Sequence, residues 1–109
     1  MKARISARAR YDLDSIFARI CAREGTESAD RFLDDAEHAV AFLAQHPDAG
    51  PHPTWITRHK TLRFWVISKT NYLIYYFSDD FGVSVARILD GRRDVERIID
   101  KRRESEEVD

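Results

Sequence analysis

The chain has 109 residues, of which 43% are apolar and 12 are aromatic, and this size is typical of one domain with one hydrophobic core. This composition argues against global disorder, and no uncharged apolar run reaches the roughly 18 residues that a membrane-spanning helix needs. The net charge is −1, without the basic excess usual in proteins that bind nucleic acid. We therefore expect one cytoplasmic domain over residues 1–109, with no membrane association and no direct sequence-specific nucleic-acid binding.

The first half of the chain has the periodicity of two amphipathic helices that follow a short first strand at 2–6. Apolar residues at 13, 16, 17, 20 and 21 lie on one face of a helix over 8–23. Gly25 ends this helix, and Thr26 or Ser28 can cap a second one. The second helix repeats the spacing from 29 to 43 and stops before Pro47. So short a link predicts an antiparallel helical hairpin.

The second half changes to a period of two, which is typical of strands. Segments 62–67, 72–77 and 83–89 are rich in β-branched and aromatic residues, and SKTN and SDDFG separate them at hairpin spacing. These segments predict a three-stranded antiparallel meander, which the first strand widens if it pairs. The hairpin would cover one sheet face, giving an α+β fold of order β-α-α-β-β-β. Asp94 would then cap a short C-terminal helix, followed by a frayed charged tail, over 95–109.

Several kinds of chemistry lack their usual pattern. The four glycines, at 25, 50, 82 and 91, are too scattered for a phosphate-binding loop. The four histidines, at 38, 46, 52 and 59, lack the paired spacing of a helical metal site. We therefore expect no metal and no cofactor.

Two basic sets flank the predicted strands. Arg58, His59, Lys60 and Arg63 lead into one strand, while Arg87, Arg92 and Arg93 lie at the end of the last. If Arg63 and Arg87 share an open sheet face with Trp65 and Tyr75, that surface mixes cations with aromatics, as partner-binding surfaces do. The alternative, which periodicity leaves open, is that these aromatics face the helices as core.

Six short motifs in a fixed order resemble one family. They are DLDSI at 12–16, AxxFL at 29–33, HPDAG at 46–50, LR at 62–63, NYLIYY at 71–76 and RILDGRRD at 87–94. Together they resemble the ParE branch of the RelE/ParE toxin superfamily, over about residues 2–96. The resemblance implies the toxin of a bacterial type II toxin–antitoxin pair, neutralised by a ParD-like antitoxin. It also implies DNA gyrase as the target, whereas RelE toxins cleave messenger RNA on the ribosome.

The residues favour the gyrase branch over the ribonuclease branch. RNA cleavage needs a base, an acid and cations on the phosphate, which RelE toxins draw partly from a C-terminal tyrosine or histidine. No such residue follows Tyr76, and Asp90 stands where ParE-like sequences often have histidine. A RelE-like endoribonuclease using His59, Lys60, Arg63 and Tyr75 is the first alternative, and an inactive member that forms complexes or regulates its operon is the second.

The expected partner-binding residues follow from the basic sets and the aromatic strand. We predict that RILDGRRD is chiefly a structural terminus, with Asp94 as a helix cap and with exposed arginines that contact a partner without catalysing anything. The full set of expected contact residues is Arg58, Lys60, Arg63, Trp65, Arg87, Arg92 and Arg93.

Overall fold

A computed structural model describes residues 2–56 and 59–92, which form two helices and a four-stranded sheet. In chain order the elements are β1 (Lys2–Ile5), α1 (Ala7–Glu24), α2 (Thr26–Gln45), β2 (Arg63–Val66), β3 (Tyr72–Ser78) and β4 (Gly82–Asp90). The predicted α+β fold is confirmed, with every predicted strand and both helices in place. The helix and tail predicted over 95–109 lie outside the described residues.

The two helices form the predicted hairpin, joined by Gly25 alone. The φ angle of Gly25 is 99°, a conformation that side chains disfavour, so glycine is needed at this reversal. Ser6 caps α1 because its Oγ accepts a hydrogen bond from the Ala9 N–H at 3.0 Å. The cap predicted for α2 at Thr26 or Ser28 is wrong, because Gly25 is the N-cap and offers no side chain. Neither helix is long and apolar enough to cross a bilayer.

The sheet has the order β1-β4-β3-β2, with the predicted meander running antiparallel through β2, β3 and β4. β1 pairs with β4 in parallel, from Lys2 opposite Gly82 to Ile5 opposite Val85, so the sheet is mixed and not purely antiparallel. The helical hairpin carries the chain from β1 across the sheet to its opposite edge, where β2 lies. β2 is therefore an edge strand, and β4 continues for five residues beyond its pairing with β1.

The two faces of the sheet carry separate apolar clusters. Side chains from both helices pack on one face with β-strand residues that include Ile74, Tyr76, Val83, Val85 and Ile88. The other face holds a smaller cluster in which Ile56 and Leu62 of the long loop cover Tyr75 and Leu89. The loop between α2 and β2 is thus part of the fold, and its packing determines what surrounds the exposed edge strand.

Candidate functional site

Exposed aromatic and aliphatic side chains surround the edge strand β2. Phe42, Trp55 and Val66 are 42%, 47% and 48% exposed, although large apolar side chains are usually buried. Phe42 stacks on Trp65 with ring centroids 5.2 Å apart, and Trp55 packs on Phe64 at 5.0 Å. We call Phe42, Trp55, Phe64, Trp65 and Val66 the β2 rim.

The loop that carries Trp55 is fastened to the sheet by a buried tyrosine. The Tyr76 hydroxyl donates to the Pro47 carbonyl and accepts from the Gly50 N–H, both at 2.9 Å. Burial raises the pKa of Tyr76, so the hydroxyl keeps the proton that it donates. The Phe64 N–H donates to the Pro51 carbonyl at 3.1 Å, which occupies one outward-facing group of the edge strand.

Arg63 belongs to the same fastening and is not a free cation. Its Nη1 donates to the carbonyl oxygens of Gly50 at 2.7 Å and of Asp48 at 3.1 Å. Its Nη2 lies 3.5 Å from the Asp48 carboxylate, and its side chain is only 20% exposed. Arg63 therefore holds the loop beside β2. Its partly exposed side chain lies next to the β2 rim.

The residues of the alternative ribonuclease site do not form one open group. Tyr75 is fully buried and lies on the sheet face opposite Trp65, and His59 is 7% exposed, whereas Lys60 is exposed. Burial raises the pKa of Tyr75, and the nearby Trp55 side chain opposes this shift. Among the described residues, no partner lies in hydrogen-bonding geometry with the Tyr75 hydroxyl. An aqueous substrate has no access to this hydroxyl without displacement of the loop.

Arg63, Arg87, Trp65 and Tyr75 do not share one open face of the sheet, which was the condition for a surface that mixes cations with aromatics. Trp65 stands opposite Ile74 in the ladder and packs towards the helices, whereas Tyr75 faces the other cluster. The alternative, that these aromatics face the helices as core, therefore holds for Trp65 but not for Tyr75, which is buried on the opposite face of the sheet. Arg58 lies outside the described residues, as does Arg93.

Arg87 is buried, so the expectation that its side chain is exposed is wrong. It is 5% exposed and donates from Nε at 2.8 Å and from Nη2 at 3.0 Å to the two carboxylate oxygens of Asp12 on α1. Asp12 also accepts the backbone N–H of Ile88 at 3.0 Å. This edge of β4 has no strand partner because β1 ends at Ile5, so the carboxylate of a helix replaces the missing strand.

The turn after β4 is held by a second, exposed pair. The Asp90 carboxylate accepts three bonds from Arg92: the backbone N–H at 2.9 Å, Nε at 3.0 Å and Nη2 at 2.7 Å. These bonds lower the pKa of Asp90 to about 2, so the carboxylate stays ionised at neutral pH and does not serve as a proton carrier. RILDGRRD was predicted to be chiefly a structural terminus, and within it Asp90 stabilises the turn by binding Arg92. The predicted helix cap, Asp94, lies outside the described residues.

Of the five rim residues, the sequence pointed only to Trp65. Phe42 lies outside the apolar face predicted for its helix, and Trp55 lies in a proline-rich loop. Each position could have indicated an exposed apolar side chain. The exposure of Val66 could not be predicted from the sequence, because it depends on the position of β2 at the edge of the sheet. Among residues 2–56 and 59–92, no three metal-ligating side chains converge.

The comparisons with known proteins agree with the architecture. A family model describing the ParE toxin of the type II toxin–antitoxin system parDE matches residues 3–95. A search of curated proteins finds no match. Among solved structures, a chain described as the chromosomal ParDE system from P. aeruginosa superposes with a TM-score of 0.68 at 19% identity, covering 81% of this chain and 92% of that chain.

Proposed function

Because this chain belongs to the ParE family of toxins from type II toxin–antitoxin systems, we propose that it acts by binding a protein target and not by catalysis. DNA gyrase is the proposed target in the cytoplasm, and a ParD-like antitoxin silences the toxin by covering the β2 rim. The observation that carries this proposal is the exposed aromatic rim around an edge strand.

The chemistry of the rim suits a protein partner. Tryptophan is among the residues that contribute most to protein interfaces, and the rim presents the exposed Trp55 with Phe42 and Val66, while the half-buried Trp65 supports the Phe42 ring. An amphipathic segment of the antitoxin would place its apolar side chains on these rings, burying about 1,600 Å² or more in total. The rings are already packed in pairs, so little side-chain entropy is lost on binding.

Two observations favour a binding mechanism over RNA cleavage. Tyr75, one of the side chains that the alternative site requires, is buried under the loop, and Arg63 is bonded to loop carbonyls. In addition, a protein of net charge −1 gains little from the phosphate attraction that brings a ribonuclease to ribosomal RNA. Both observations support a protein target.

The first prediction separates the two mechanisms. Purified protein is expected to inhibit gyrase supercoiling of plasmid DNA while leaving messenger RNA on translating ribosomes intact. Parallel assays with one preparation measure both, and growth arrest on expression without antitoxin checks that the preparation corresponds to an active toxin. Position-specific cleavage of translated message that is lost in Arg63→Ala would contradict the proposal. Absence of growth arrest would instead support the inactive, complex-forming alternative.

The second prediction concerns the rim. Trp55→Ala and Phe42→Ala should each weaken antitoxin binding by about thirtyfold or more, because truncating a hot-spot aromatic costs about 2 kcal/mol or more. The matched control is Phe81→Ala, which removes another exposed aromatic that lies outside the rim. Calorimetric titration with the product of the neighbouring antitoxin gene measures the effect. Equal affinities for all three variants would place the antitoxin elsewhere.

A further inference from the structure

A second surface, which shares no residue with the β2 rim, lies at the tip of the helical hairpin. It is a cleft of about 410 Å³ between the end of α1, the start of α2 and the turn that joins β2 to β3. Residues Ser68 to Tyr72 of that turn form one wall, and Arg92 closes one end. We call this site the hairpin cleft.

The hairpin cleft is positively charged on a protein whose net charge is −1. Five cationic side chains line it against two acidic ones, Glu24 and Asp35; the cations are Arg19, Arg23, Arg31, Lys69 and Arg92. Within the described part of the chain, Arg19, Arg23 and Lys69 make no hydrogen bond or ion pair. Arg23 and Lys69 therefore remain available for a ligand, while Arg19 also acts electrostatically on the Asp90 carboxylate.

Two further features make the cleft suited to an anion that carries an apolar group. Its floor contains Ile20 and the edge-to-face pair of Phe32 and Tyr72, whose ring centroids are 5.4 Å apart. The first turn of α2 also borders the cleft through Ser28, and Gly25 provides this helix with no side-chain cap. The helix therefore adds the partial positive charge of its amino end to that of the side chains.

We propose that the hairpin cleft binds an acidic peptide segment of a protein partner, with carboxylates on the cations and one apolar side chain on the floor. The size and surroundings of the cleft favour a peptide over a nucleic acid. A duplex carries one charge per roughly 1.7 Å of its axis and would extend beyond the cleft over exposed acids of α2 such as Asp30 and Asp34. A short peptide places its charges only where the cations are. The inference does not depend on which protein the toxin inhibits.

The test uses the full chain and a labelled pentapeptide in which one leucine is flanked by two glutamates on each side. Its anisotropy titration should show binding that weakens with added salt and is lost when glutamine replaces the glutamates. The double change Arg23→Glu, Lys69→Glu should weaken binding about fivefold or more, because two attractions become repulsions. The control Lys2→Glu, Arg10→Glu alters net charge equally outside the cleft and should keep most of the affinity.

Amide chemical-shift mapping by NMR locates the peptide independently of the variants. The expected shifts fall on 19–28 and 68–72, whereas shifts confined to the β2 rim would overturn the proposal. Tighter binding of a single-stranded oligonucleotide of equal charge would make the cleft a nucleic-acid site and would also overturn it. Binding that arises only after Glu104→Gln, Glu106→Gln and Glu107→Gln would assign the cleft to the protein's own C-terminal acids instead of a partner.

Discussion

Replacing Asp12 with alanine should lower the free energy of unfolding by about 3–5 kcal/mol, the range for removing one partner of a buried ion pair. The change leaves the Arg87 guanidinium buried without a counter-ion and the Ile88 N–H without its acceptor. Small domains have only about 5–15 kcal/mol of stability in total, so this variant should be close to unfolding at physiological temperature. Urea denaturation followed by circular dichroism measures the loss.

Two variants test this explanation. Asp14→Ala removes an exposed carboxylate from the same helix and should change stability by less than about 0.5 kcal/mol. The double change Asp12→Leu, Arg87→Met replaces the pair with apolar side chains and should be less destabilised than Asp12→Ala, since no charge is left uncompensated. If Asp12→Ala unfolds at nearly the wild-type urea concentration, the pair does not fasten α1 to β4.

The substitution Gly50→Ala should destabilise the protein by about 2–4 kcal/mol, from overpacking and the loss of a buried hydrogen bond. An added Cβ would press on the Phe64 carbonyl oxygen and would lie 2.6 Å from the Tyr76 hydroxyl. The Phe64 oxygen belongs to the backbone of β2 and cannot rotate away, so the loop must move. The Gly50 N–H would then separate from Tyr76, and Arg63 would lose its shortest bond to the loop.

Replacing Gly50 should also weaken antitoxin binding, unlike a change at an ordinary core position. Because the displaced loop carries Trp55, antitoxin affinity should fall even though Gly50 itself is buried and does not belong to the β2 rim. Thermal melting measures the loss of stability, and antitoxin titration below the melting temperature of the variant measures the loss of affinity separately. Ala49→Ser, at the exposed neighbouring position, is the control and should leave both nearly unchanged. Wild-type affinity in a destabilised Gly50→Ala protein would mean that the loop does not position the rim.

The edge strand shows how a fold can be predicted correctly while its site is not. The periodicity placed β2 within one residue of its ends, but it did not reveal that β1 joins the far side of β4 and leaves β2 exposed. For the same reason the sequence did not identify the rim residues Phe42 and Val66 as exposed. Their exposure depends on the strand order, and that order is set by pairing between residues that are far apart in the sequence.

The burial of Arg87 could not be predicted from alternation along β4 alone. Between Tyr75 and Tyr76 the register shifts, so Ala86 is an extra residue and simple alternation along β4 fails. Arg87 follows this bulge, where β4 has passed the end of β1, and Asp12 of α1 supplies the acceptor that a strand would otherwise provide. An alternating pattern cannot indicate that a carboxylate 75 residues away neutralises the arginine.

The helical hairpin, the meander and the family resemblance could be predicted because apolar spacing, Gly25 and the order of short motifs are local properties of the chain. Which cations are free and which aromatics are exposed could be read only from the folded chain. Arg63 and Arg87 are bonded within the fold, whereas Arg23 and Lys69 converge on one cleft from elements far apart in sequence. The physical reason is that charge pairing and burial depend on three-dimensional proximity, which hydrophobic periodicity does not encode.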